Sequence, residues 1–518
     1  MQPITRRKMF GFAAAAVAFS SCKSEPVARP NILFVIADDQ SWPHATAYGN
    51  QLAKTPWFDR VAREGALFHN SFATCPSCTP SRSSILSGRN IWQTGEGGVL
   101  YGTLPKDMPV FPHMLEDAGY FTGWTGKSWG PGDWKAGGLT RHPMGREFNA
   151  RMHAGKIREG LDQRDYAANF GEFLQARPKD APFFFWLGST EPHRAYGKGA
   201  GKAIGKATTE VTVPPFWPDT EEVRGDILDY ASEVEWFDQQ LGKALQLLEE
   251  SGEIDNTLIV VTSDNGWPFP RAKVNLYDGG THMPLAMRWP GRIPAGRSVK
   301  EFVSHKDFAP TFLEAAGLKA AAGTAGKSLL PLLRAGAPDP GRDHVITGLE
   351  RHVMARADGA TYPMRAIRTE HYLYIRNFAP ERWPTGGDFI SSNKTPHGDV
   401  DAGPTPDFML EPANQKKYAK QFALCFGRRP AEELYDLKKD PWQVENCAAD
   451  PAYGPQLSTL RTKLEAYLRE TADPRIEGRD PWRQYPYRQT GGYGASFNST
   501  LTESERDAAA GRVRLKPE

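Results

Sequence analysis

Between Ser71 and Arg89 the chain reads SFATCPSCTPSRSSILSGR, and Cys78 at its centre is the residue best suited to covalent chemistry. Pro80, then a Ser-Arg-Ser-Ser run that turns apolar, predicts a helix beginning at or near Cys78. Unpaired N–H groups and the positive end of the helix dipole gather there, favouring an anion or a nucleophile with negative character. A lone cysteine in such a place is more often a packing residue. The case for chemistry rests on its company. Asp38-Asp39 offers two carboxylates, Asp264-Asn265 a carboxylate and an amide, Thr125-Gly126-Lys127 a cation, and Pro192-His193-Arg194 an imidazole suited to acid/base work. Each has a plainer reading as a loop cap or a solvated charge. Oxygen donors from two separate places suit a hard cation, calcium before magnesium.

These groups recur at the ends of short apolar runs. Asn31–Ala37, Tyr120–Trp124, Pro182–Gly188 and Thr257–Ser263 read as buried strands that stop at Asp38, Thr125, Ser189 and Asp264. In open α/β sheets ligands collect outside the carboxyl ends of the strands, so such ends converge on one site. Pro284–Trp289 reads as a further strand, and Arg271 and Lys273 lie in the loop before it. Helical signals cover Trp57–Gly65, Phe111–Ala118, Asp226–Glu250 and Lys306–Ala316. The predicted fold is α/β, a mixed and mostly parallel sheet sandwiched by helices over residues 29–342. From Asp343 shorter alternating strands, Tyr362–Arg368 and Tyr372–Asn377, predict a smaller α+β domain with an antiparallel sheet to residue 477, completed by a helix over Leu457–Thr471. Pro380–Lys417, rich in Pro, Gly and Asp, reads as a long surface loop, and 478–518 as a C-terminal extension.

Charge excludes some partners. Over 518 residues the formal net charge is only +2 and the basic residues are scattered, so no nucleic-acid stripe is present. Thr5-Arg6-Arg7-Lys8-Met9-Phe10, the small apolar stretch GFAAAAVAF and Ser20-Ser21-Cys22 look like a twin-arginine export signal ending in a lipoprotein-type cysteine. Residues 1–28 therefore predict an exported protein, periplasmic or held at a membrane by a lipid anchor on Cys22. Outside the cytoplasm Cys425 and Cys447 could close a disulfide, which spacing alone leaves open.

Taken in chain order, Asp38-Asp39, CTPSR at 78–82, Gly126-Lys127, Pro192-His193-Arg194 and Ser263-Asp264-Asn265-Gly266 resemble the type I sulfatases of the alkaline phosphatase superfamily. The match runs over Pro30–Asn377, and C-x-P-S-R closed by Leu86 to Arg89 is its most specific part. The resemblance implies that a formylglycine-generating or anaerobic sulfatase-maturating enzyme oxidises Cys78 to formylglycine, whose hydrate is the nucleophile. It implies one calcium held by Asp38, Asp39, Asp264, Asn265 and residue 78, with magnesium less suited. Arg82 would steady the nucleophile and the carboxylates, Lys127 and Lys273 would neutralise the sulfuryl group, and His193 would protonate the leaving group.

A narrower likeness, in Pro192-His193-Arg194, the run DNGWPFPRAKVNLY from Asp264 to Tyr277, and Tyr362-Pro363-Met364-Arg365, points to the N-sulfoglucosamine sulfohydrolase (heparan N-sulfatase) branch. The substrate would then be the N-sulfate of glucosamine in a sulfated oligosaccharide, with Arg194, Arg351, His352 and Arg365 as candidates for holding the sugar. One position departs from the pattern. Many sulfatases carry a histidine two residues after the lysine, where this chain has Trp129. An O-sulfatase, a phosphate mono- or diester hydrolase of the same superfamily, and a non-catalytic exported glycan-binding protein are the competing readings.

Overall fold

The computed structural model describes residues 29–488 except 336, 337, 390 and 392–394. The export segment with Cys22, and residues 489–518 of the C-terminal extension, lie outside the described residues. The larger sheet has eight strands: β1 Asn31–Ala37, β2 Ala66–Phe72, β3 Phe121–Gly126, β4 Arg146–Glu147, β5 Phe183–Gly188, β6 Thr257–Ser263, β7 His282–Arg288 and β8 Arg297–Ser304. Their order across the sheet is β4-β3-β5-β1-β6-β7-β2-β8. β1 lies parallel between β5 and β6, and β7 runs antiparallel to both of its neighbours.

Every residue of β1 is buried because helices cover both faces of the sheet. Ile32, Phe34 and Ile36 pack with Leu86, Phe111 and Phe312, from the helices Cys78–Ser87, Phe111–Asp117 and Phe308–Ala315. Leu33, Val35 and Ala37 pack with Phe58, Phe170 and Phe237, from Pro56–Arg63, Tyr166–Ala176 and the long helix Glu221–Glu250. The strand period of two thus divides one sequence between two cores. Each fully buried Phe or Leu contributes about 1.5–3 kcal/mol by removal from water. Because β1, β3, β5 and β6 are parallel, their carboxyl ends finish at one edge, where Asp38, Lys127, Ser189 and Asp264 follow.

The smaller sheet is antiparallel, with β9 His344–Leu349, β10 Met364–Thr369, β11 Tyr372–Asn377 and β12 Glu432–Asp436 in the order β12-β11-β10-β9. Leu460, Leu464 and Leu468 form one stripe of the helix Gly454–Glu470 and pack in the core of this sheet.

One expectation needs correction, and one open question is answered. Residues 380–417 are not simply a surface loop: they include the helices Pro404–Leu410 and Pro412–Lys417 and bury Thr385, Ser391 and Asp399. The Asp399 carboxylate accepts the Val353 N–H at 3.0 Å and Arg356 Nη2 at 2.7 Å, which pins the segment inward. Cys425 and Cys447 are not joined. Each thiol instead donates to a carbonyl, of Phe216 at 3.2 Å and of Leu434 at 3.1 Å.

Candidate active site

Cys78 is the first residue of the helix Cys78–Ser87, entered from Ser77 in an extended conformation and closed by Gly88 in the left-handed region at φ 68°. All ten residues of the helix are buried. Three of its four serines take partners: Ser81 Oγ donates to the Asp264 carbonyl at 2.6 Å, Ser87 Oγ donates to the Ser83 carbonyl at 2.7 Å, and Ser83 Oγ accepts the Trp129 indole N–H at 2.9 Å. Trp129, 1% exposed, therefore braces the helix that carries Cys78.

The strand ends deliver the charged groups. Asp38 Oδ1 lies 3.6 Å from Cys78 Sγ, and Lys127 bonds Asp38 Oδ2. Asp39 has φ 74°, a left-handed conformation costing on the order of 1 kcal/mol, and its N–H donates to Asp264 Oδ1 at 3.1 Å. Arg82 Nε donates to Asp264 Oδ2 at 2.7 Å and Nη1 to the Ser128 carbonyl at 2.6 Å, tying the ends of β6 and β3 to the helix that carries Cys78. Lys273 Nζ reaches Asp39 Oδ2 at 2.7 Å and Asp401 Oδ2 at 2.9 Å. His193 holds the Arg194 carbonyl with Nδ1 at 2.6 Å, and its Nε2 lies 3.8 Å from Asp39 Oδ2. Of these groups Cys78, Lys127, His193, Lys273 and Asp401 line a cavity of about 450 Å³, walled also by Tyr101, Trp134, His352 and Tyr487.

Burial dominates the proton affinities. It would raise Asp38, but Lys127, His193, Arg82 and Lys273 outweigh it and hold that carboxyl well below the usual range. Asp39 is raised to about 7 by burial and the charge of Asp38, against the pull of Lys273; Asp264 is raised to about 6 by burial and by Asp38, against Arg82. Burial pushes the Cys78 thiol well above its ordinary value despite Lys127, so the sulfur is protonated and a poor nucleophile. His193 is pushed down to about 4 by burial and by Lys273, and is neutral at rest.

A hard divalent cation fits this donor set. Oxygens of Asp38 and Asp39 and Cys78 Sγ lie within 4.8 Å of one another. Asn265 Oδ1 is buried without a hydrogen-bond partner while its Nδ2 donates to Asp39 Oδ1 at 2.6 Å. The raised Asp39 and Asp264 mark carboxylates that burial, with the charge of Asp38 added to it, keeps from ionising together without added positive charge.

Of the residues expected to hold the sugar, only His352 lines the cavity, with Nδ1 2.8 Å from Ser77 Oγ beside Cys78. Arg194 is corrected to a structural residue: its guanidinium makes a paired bond to Asp226 at 2.8 and 2.7 Å and lies 4.4 Å from the Phe269 ring centroid. Arg365 is fully buried between Asp473 and Glu350, at 2.5 and 2.7 Å. Arg351 is buried under the tail, within 3.5 Å of the Trp482 carbonyl and 3.3 Å of the Pro486 carbonyl. Conversely, Asp401, Tyr101 and Tyr487 line the cavity and have no motif around them.

Residues 30–318 match the family model described as Sulfatase, and 267–385 the model described as N-sulphoglucosamine sulphohydrolase, C-terminal. The human N-sulphoglucosamine sulphohydrolase is 31% identical over 497 residues, covering 86% of this chain and 91% of that protein. An ulvan-active sulfatase of Formosa agariphila is 26% identical, covering 86% of this chain and 76% of its own. Among solved structures, a protein in complex with its substrate D-glucosamine-2-N,6-O-disulfate superposes with a TM-score of 0.62 at 22% identity, over 87% of this chain and all of that one. The phosphonate monoester hydrolase of Agrobacterium radiobacter shares the fold, with a TM-score of 0.60 at 20% identity over 86% of this chain and 96% of its own. With a family model spanning more than half its length and a relative aligned along most of it, the chain belongs to the sulfatase family, hydrolases of sulfate esters or sulfamates built on the alkaline-phosphatase-like fold.

Proposed function

We propose that this enzyme removes the N-sulfate of glucosamine units in heparan sulfate or heparin fragments, acting outside the cytoplasm after export by its twin-arginine segment. No helix among the described residues is long and apolar enough to cross a membrane. The observation that carries the reading is the convergence of Asp38, Asp39, Asn265, Lys127, Lys273 and His193 on residue 78, in a chain 31% identical to the human N-sulphoglucosamine sulphohydrolase. The net reaction is R–NH–SO3⁻ + H2O → R–NH3⁺ + SO4²⁻.

Formylglycine at position 78 supplies an oxygen nucleophile in its hydrated form, and a calcium ion held by Asp38, Asp39, Asp264 and Asn265 supplies positive charge against the sulfuryl oxygens. The protonated thiol of the unmodified residue could not do the first task at neutral pH. Lys127 and Lys273 bind the anionic sulfuryl group and orient it. Arg82 keeps Asp264 and the Lys127 loop in register. The Nδ1–H of His193 is fixed on the Arg194 carbonyl, which leaves Nε2 to hold and move the proton that the departing nitrogen needs. An anionic sulfamate beside it favours the imidazolium. Trp129 leaves no histidine beside Lys127; the other imidazole in the cavity wall is that of His352.

The test is sulfate release by matured enzyme from glucosamine N-sulfate, 6-O- and 2-O-sulfated disaccharides and an aryl phosphate, with mass spectrometry of the peptide containing residue 78. Release from the N-sulfate and an aldehyde at 78 are expected. Release only from O-sulfated sugars would refute the substrate, and an active enzyme with an intact Cys78 thiol would refute the nucleophile.

A further inference from the structure

Asp401 is the anomaly of the cavity. A pocket that must accept an anion carries a carboxylate which the cations in it do not require, because Lys273 is already paired with Asp39 at 2.7 Å. Asp401 Oδ2 lies 2.9 Å from Lys273 Nζ, and its side chain, 25% exposed, lines the cavity with that lysine. A carboxylate oxygen of Asp401, a ring nitrogen of His193 and a carboxylate oxygen of Asp39 lie within 4.8 Å of one another. Burial would raise the Asp401 carboxyl, but Lys273 beside it outweighs that and favours the carboxylate. Asp401 reaches this place because Asp399, two residues earlier, is anchored by Val353 and Arg356.

A fixed negative charge beside an incoming anion is unfavourable unless something in the reaction turns positive there. The sulfuryl oxygens go to Lys127 and Lys273, which leaves the atom that departs from sulfur on the side of His193 and Asp401. In a sulfate ester that atom is an oxygen without hydrogen, which gains negative charge as the S–O bond breaks. In a sulfamate it is a nitrogen that already carries one hydrogen. When the S–N bond breaks its electron pair stays on nitrogen, sulfur gains one S–O bond, and both hydrogens of the consumed water end on the nitrogen as R–NH3⁺. We infer that Asp401 is the specificity residue of this site, accepting a hydrogen bond from the sulfamate nitrogen and holding the ammonium that forms, so that S–N cleavage is favoured over S–O cleavage. This rests on the N-sulfatase reading above.

The experiment compares wild type with Asp401→Asn, which keeps the shape and an acceptor for Lys273 but removes the charge. On matured enzyme, kcat/KM is measured for glucosamine N-sulfate and glucosamine 6-O-sulfate. The ratio of the two should fall about tenfold or more in the variant, the scale of one hydrogen bond to a charged group. A second arm needs no turnover: unmatured protein, in calcium and inorganic sulfate, is titrated with glucosamine and with N-acetylglucosamine. Asp401→Asn should weaken glucosamine about tenfold and leave N-acetylglucosamine unaffected. Equal losses on both substrates, or unchanged glucosamine affinity in a variant that melts like wild type, would overturn the inference. If wild type releases no sulfate from glucosamine N-sulfate, the proposed function fails instead, and the titration still decides whether Asp401 reads an ammonium.

Discussion

Calcium affinity should depend on pH in a way that ordinary carboxylates would not produce. The perturbation is acidification from pH 8 to pH 5 of protein stripped of metal. With Asp39 raised to about 7 and Asp264 to about 6, binding at pH 5 must first remove a proton from each, at a cost of about two units and one unit. Together that is about 4 kcal/mol, or at most a thousandfold in Kd between pH 8 and pH 5. Asp38, held ionised by Lys127 and its neighbours, adds nothing. The stability consequence has a definite sign. In the metal-free fold the raised pair binds protons that the unfolded chain, with carboxyls near 3.8, does not hold. Its contribution is full below pH 3.8 and is lost as pH rises through about 6 and 7. Calcium should therefore raise Tm more at pH 8 than at pH 5. Isothermal titration in buffers of different ionisation enthalpy gives Kd and the protons released, and thermal melts with calcium or chelator give the stability arm. A Kd flat from pH 5 to pH 8, as three ordinary carboxylates would give, refutes the reasoning.

Three further outcomes follow from the same geometry. Lys127→Ala should lower kcat by about a hundred- to a thousandfold, since it removes a buried cation from the sulfuryl site; steady-state kinetics with an unchanged kcat would exclude that role. Arg365→Ala should lower stability by about 3–5 kcal/mol, because Asp473 remains buried without its guanidinium and Glu350 keeps only Arg475, while the folded fraction keeps its KM; a raised KM at full stability would restore Arg365 to the substrate. As the second imidazole in the cavity wall His352 is placed to act as a base, so His352→Gln should slow steady turnover about a hundredfold, the scale of general base catalysis; unchanged steady-state turnover would leave His352 a packing partner of Ser77.

The strands that organise the site were legible because burial on both faces leaves a plain trace. NILFVIA and TLIVVTS are continuous apolar runs, and the polar residue that ends each one marks the edge where ligands collect. β2 and β8 leave no such trace. ALFHNSF and RSVKEFVS carry exposed or half-buried polar residues through their length, and β2 shifts register against both neighbours. Within the site, acids and cations attached to strand ends could be read, whereas Asp401 and Tyr487 could not. Their positions depend on hydrogen bonds to distant residues, from the Val353 N–H to the Asp399 carboxylate and from the Arg488 N–H to the Tyr101 carbonyl at 2.7 Å. The misread arginines fail for the converse reason. Arg194 and Arg365 adjoin motifs, but the carboxylates that claim them, Asp226 and Asp473, lie 32 and 108 residues away. Periodicity carries no record of such pairs.

The second cluster of potential ligands sharpens what kind of hydrolase this is. Asp39, His193 and Asp401 could together hold a cation, as Asp38, Asp39 and Cys78 could. In this fold that place is taken by Lys273 Nζ, within 2.9 Å of both carboxylates and held fully protonated by Asp39 and Asp401 against the effect of burial. A lysine there is a permanent single positive charge that is neither lost to chelators nor exchanged for another metal. It also cannot polarise an oxygen as strongly as a divalent ion. The group it faces must therefore need less charge neutralisation than a phosphate monoester dianion, and a sulfuryl group, with one negative charge spread over three oxygens, meets that condition. The same lysine leaves Asp401 only partly compensated, because it shares its charge with Asp39. A carboxylate in that state remains able to attract a cation formed during the reaction, which connects the lysine in the second cluster to the nitrogen leaving group proposed for the site.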